Sequence, residues 1–128
     1  MKIKRNTTKW DTKDLKSLFC EAKRRVQKIE GRKIEPYVYI DYKRGDGMSG
    51  RAGCSHWYIV IKINKNKDFS NEETKKQLAQ LFTHEYYHNH GVKNIDYRNY
   101  ENDWTTKFDY SWVKDFQIRE KELKPKVE

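Results

Sequence analysis

Two histidines one helical turn apart, with a glutamate beside the first, carry the densest chemistry in the chain. They are His84-Glu85-Tyr86-Tyr87-His88, within LFTHEYYHNHG. On a helix, positions i and i+4 lie one above the other, so the two imidazoles can close on one divalent cation. Glu85 points elsewhere around the helix, where a carboxylate can take a proton from water polarised by that ion. Catalytic zinc takes three protein ligands and keeps a fourth position open. The motif supplies two, and the third must come from elsewhere.

Glu101 is the leading third ligand. It shares an expected helix face with Tyr97, Trp104 and Phe108, and a carboxylate on an apolar face is costly unless paired or bound to metal. Its other reading is a hydrogen bond to a tyrosine or to the far nitrogen of a liganding histidine. His90 lies two residues past His88 and points away unless the helix unwinds there. Asp96 and Asp103 are further alternatives, and Asp103 would equally orient a histidine. His56, before a strand, reads as cleft lining or surface more than as a ligand.

The motif needs a helix to hold it, and the flanking residues describe one. Leu78, Leu81, Phe82 and Glu85 follow the i, i+3, i+4, i+7 spacing. Ser70 with Glu73 forms a capping-box start, and Gly91 is a natural stop. A second amphipathic helix is expected over 12–30, with Leu15, Leu18, Phe19, Ala22, Val26 and Ile29 on one face, Asp11 as N-cap and Gly31 as C-cap. Alternation predicts strands at 34–43 and 57–63. In the first, Val38 and Ile40 oppose Tyr37 and Tyr39. In the second, Ile59, Ile61 and Ile63 share a face with Trp57. Residues 44–55 carry four of the six glycines and read as a turn or loop. They lack the phosphate-loop pattern. A further helix is expected from about Asp96, and periodicity does not decide the segment around Trp112 and Phe116. The basic residues 1–10, ending in a Trp10 anchor, and the tail 120–128 are expected to be flexible. The sum is an α+β domain: helices on a short, mainly antiparallel sheet.

A length of 128 residues suits one domain spanning 1–128. Charged residues make up 37%, yet four Trp, nine Tyr and five Phe argue against disorder. The net charge of +9 makes nucleic acid a credible partner, against the plainer reading of a solvated Lys-rich surface. Cys20 reads as a buried thiol, and Cys54 sits in the Gly-rich stretch. Two cysteines do not make a disulfide framework. No apolar leader or membrane-length run is visible, so a cytoplasmic protein with no membrane partner is expected.

The sequence resembles the zincins, the metallopeptidases built around H-E-x-x-H, over roughly residues 12–105. Within them it is most similar to the SprT-like group. The shared layout is an N-terminal helix, the turn Arg51-Ala52-Gly53-Cys54, the strand Ile59 to Ile63 and the helix entry Leu81-Phe82-Thr83-His84-Glu85. The resemblance implies a zincin-like fold, Zn2+ as cofactor and a protein or peptide substrate. It also implies that part of Trp57 to Asn64, or a neighbouring edge, pairs with extended substrate. The chain departs from each subclass. It carries Asn94 where metzincins have a third histidine, it has no methionine after Met48, and no histidine follows His90. A minimal gluzincin-like solution through Glu101 stays open.

The expected function is therefore a zinc-dependent peptidase with Glu85 as general base, acting on proteins that include DNA-associated ones. One of Tyr86, Tyr87, Tyr97 and Tyr100 would steady the oxyanion. The alternative is a basic nucleic-acid-binding module whose metal site is structural or vestigial, with Tyr37 and Tyr39 stacking bases. Against that alternative, those tyrosines are expected to pack beneath a helix or strand. The constellation of an HNH-type nuclease is not present.

Overall fold

The computed structural model describes residues 1–53, 55–92 and 104–122. It is a small α+β fold with two helices and a four-stranded sheet. In chain order the elements are β1 (Lys2–Asn6), α1 (Thr12–Glu30), β2 (Tyr37–Tyr42), β3 (Met48–Gly53), β4 (Tyr58–Ile63) and α2 (Glu72–Asn89). Two short 3-10 turns follow, Trp104–Lys107 and Ser111–Asp115.

Helix α1 has the expected bounds. Asp11 caps its start by accepting from the Asp14 amide, and Gly31 ends it in the left-handed conformation. Leu15, Leu18, Phe19, Ala22 and Val26 are buried, whereas Ile29 is exposed. Helix α2 begins one residue later than Ser70 implies. Asn71 is the cap, accepting from the amides of Glu73 and Thr74. Its last turn ends at Asn89, and Gly91 just beyond has φ 81°.

The sheet order is β1-β2-β4-β3. β1 pairs parallel with β2, β2 parallel with β4, and only β3 pairs antiparallel with β4. The expectation of a mainly antiparallel sheet is thus corrected. The cause is connectivity: α1 carries the chain across from β1 to β2, and such a crossover makes the strands it joins parallel. β1 forms from the residues expected as a loose basic arm, and Trp10 beyond it is buried against Phe69 and Tyr42. The Gly-rich stretch is also more ordered than expected. Its second half is the edge strand β3. At the far end, Trp10 bridges to Glu120, and Arg119 forks onto Asp14.

Both helices pack on one face of the sheet. That face presents Val38, Ile40, Ile59, Ile61 and Ile63, all fully buried. The Phe19 and Phe82 rings stack 4.6 Å apart where α1 meets α2. α2 lies beneath β3 and β4 at the same time, which brings the H-E-x-x-H turns under a sheet edge. Among the described residues, no helix is long and apolar enough to cross a membrane.

Candidate metal centre

The last two turns of α2 set His84 and His88 side by side. Their Nε2 atoms lie 3.0 Å apart and the rings meet nearly edge to face at 79°. The His88 Nδ1 stands 2.8 Å from the Val92 carbonyl. A carbonyl only accepts, so Nδ1 carries the proton and the Nε2 lone pair is left for a cation. The Glu85 Oε1 lies 3.8 Å from His84 Nε2. One ligand atom from each of the three residues falls within 4.8 Å of the others, and this group could hold a metal ion.

Burial sharpens the chemistry. His84 and Glu85 are 5% and 4% exposed. The centre opens through His84 into a cleft of about 370 Å³ that runs under β3 and is rimmed by Lys43, Lys67 and Gln80. β3 crosses so close to Glu85 that a Cβ on Gly50 would sit 2.7 Å from the Glu85 Cγ. Only glycine fits there without displacement, and the backbone of Gly50 walls the carboxylate in. Asn89 ties the helix end to the sheet by donating to the carbonyls of Gly53 and Tyr58.

The other sequence candidates separate. His90 turns away from the pair: its Nδ1 lies 3.0 Å from the Tyr86 carbonyl and its Nε2 3.3 Å from the Arg32 carbonyl. It is a tether between α2 and the chain after α1. Tyr86 is committed to structure, since its hydroxyl donates to the Ile34 carbonyl at 2.6 Å and accepts from Gln27. Tyr87 is fully buried; burial, together with the nearby Glu30 carboxylate, pushes its hydroxyl pKa up. His56 is exposed at the far end of the sheet, beside Trp57 and Tyr58. Glu101, Asp96, Asp103, Tyr97, Tyr100 and Cys54 lie outside the described residues. Cys20 is half-buried and forms no disulfide among the described residues.

Sequence reading missed the roles of Gly50 and the Val92 carbonyl. A glycine inside a short strand does signal close approach by another group. A backbone acceptor carries no sequence signal at all. No family model, curated protein or solved structure matches this chain.

Proposed function

We propose that the chain is a zinc-dependent peptidase of the H-E-x-x-H type. The observation that carries this reading is the convergence of His84 and His88 Nε2 at 3.0 Å with the Glu85 carboxylate beside them. Two ligands of a tetrahedral zinc, each about 2.0–2.1 Å from the metal, stand roughly 3.3 Å apart. The pair needs to open by only a few tenths of an ångström, and the Val92 carbonyl already holds His88 in the liganding tautomer. Two neutral imidazoles and an oxygen donor suit zinc. The third protein ligand is assigned to Glu101 on its sequence position, with Asp96 next.

Zinc bound there would supply Lewis acidity and bring the pKa of a coordinated water towards neutral. Glu85 takes the proton from the attacking water and delivers it to the leaving amine. Its carboxylate is buried against Gly50, so little solvent competes for that proton. An extended peptide would add to the outer edge of β3, which among the described residues pairs only with β4. β4 is paired on both sides, so of the two alternatives in the sequence resemblance, Trp57 to Asn64 or a neighbouring edge, the neighbouring edge β3 is the one open to substrate. The cleft under β3 then takes substrate side chains next to His84.

The test is metal analysis with a casein-type proteolysis assay on wild type and Glu85→Gln. The wild type should hold about one zinc per chain and cleave. Glu85→Gln should keep the metal and lose cleavage by at least about a hundredfold. Retained cleavage would remove Glu85 as the base, and lost metal would make it a ligand instead. A wild type that neither holds zinc nor cleaves ends the proposal.

A further inference from the structure

The helices cover one face of the sheet, and among the described residues no element packs on the other. That second face is built in tiers by the strand register. Lys2 pairs with Tyr37, which pairs with Tyr58; Arg5 pairs with Tyr39, which pairs with Val60 and then Arg51; Asp41 pairs with Lys62. Aromatic rings thus occupy one end of the middle strands, with cations on the flanking strands and at Lys62 further along β4. Tyr37 is 47% exposed with Lys4 over its ring, and Arg5 lies over Tyr39. The Tyr58 ring lies over Gly53, whose missing side chain leaves room for it. Trp57 stands at the rim with φ 23° and 39% exposure, next to Arg32. Together Tyr37, Tyr39, Trp57 and Tyr58 line a shallow depression of about 420 Å³.

The acids at this face are already neutralised. Asp41 is bound by Arg5 through both carboxylate oxygens, and Glu35 is held by Lys23 and the Met1 ammonium. Among the described residues, the face therefore offers stacking surface flanked by positive charge at Lys2, Lys4 and Arg51 that no acid binds, with Lys62 beside the Arg5–Asp41 pair. We propose that it binds single-stranded nucleic acid, with bases on the tyrosine tier and phosphates on Lys2, Lys4, Arg51 and Lys62. Unstacked bases seek flat π-surfaces, and backbone phosphates seek lysine and arginine. A duplex fits less well, because its bases are already stacked on one another and offer no faces to the tyrosines. An acidic peptide would satisfy the cations and leave the aromatic tier unused. The face is on the opposite side of the sheet from His84 and His88, so the proposal stands apart from the metal reading.

Fluorescence anisotropy with a labelled oligothymidylate of about a dozen nucleotides tests it. Binding should weaken with salt, log K falling by about 0.7 per phosphate contact on a log[salt] axis. Tyr37→Ala, at an exposed position, should weaken binding about tenfold or more. Lys4→Gln should flatten the salt slope by about one contact's worth. A chelated sample and Glu85→Gln should bind as wild type does. Absence of salt-sensitive binding would overturn the proposal. So would polyglutamate or duplex binding as tight as the single strand, or full affinity in Tyr37→Ala.

Discussion

His88 and His90 stand two residues apart and are held by different parts of the backbone. His88 gives one nitrogen to the Val92 carbonyl and aims the other at His84. His90 sets its nitrogens near the carbonyls of Tyr86, at 3.0 Å, and Arg32, at 3.3 Å, and a neutral ring donates to one of them. The two should respond oppositely to truncation. His88→Ala is expected to abolish stoichiometric metal uptake with little effect on the fold. His90→Ala should keep the metal and lose about 1 kcal/mol of stability, the net worth of one carbonyl hydrogen bond. Metal content after dialysis and a urea titration of each variant separate the roles. Metal loss in His90→Ala would bring that ring back into the centre.

Between elements, the decisive contact is β3 on α2. Gly50 lets the strand run across Glu85, and a Cβ there would meet Cγ at 2.7 Å and Cδ at 3.0 Å. Overpacking of this kind typically costs about 1–3 kcal/mol. Gly50→Ala should therefore destabilise by about that much and displace the carboxylate, lowering turnover. In a double-mutant cycle the penalty should largely vanish when Glu85 is also truncated to Ala, because the obstructing atoms are gone. Equal penalties in both backgrounds, read from denaturant midpoints, would show that the strand rather than the side chain resists the methyl group.

Across the whole molecule, Glu35 links the start of the chain to α1. Partial burial alone would raise its carboxyl, but hydrogen bonds and charge from Lys23 and the Met1 ammonium outweigh it and lower the pKa from 4.5 to about 2. A depressed carboxyl stabilises the fold above its unfolded pKa, and that contribution is lost as pH falls from 4.5 towards 2. Glu35 is itself 42% exposed, so solvent screening keeps the effect below about 1 kcal/mol. Glu35→Gln should be slightly less stable than wild type near neutrality, and the gap in urea midpoint should close on acidification through that window. A gap that stays constant down to pH 2 would place the effect in packing instead.

The local signals were legible because they act over a few residues. Asp11 and Gly31 bound α1, and the spacing of Leu78, Leu81 and Phe82 places the H-E-x-x-H turns on a helix. Helical geometry then brings two imidazoles together from spacing alone. The parallel pairing of β1 with β2 and β4, the ordering of Lys2–Asn6, and the strand inside the Gly-rich stretch depend on partners far away in the chain. Tyr37 and Tyr39 show the same division. Their alternation with Val38 and Ile40 marks two faces of a strand, but not which face is covered. The packing of both helices against Val38 and Ile40 left the tyrosines outside. Periodicity reports that a face exists, and only the placement of the other elements decides what it meets. In the same way, no short-range rule could have brought Gly50 against Glu85, 35 positions apart in the chain, since that contact arises from how β3 crosses α2.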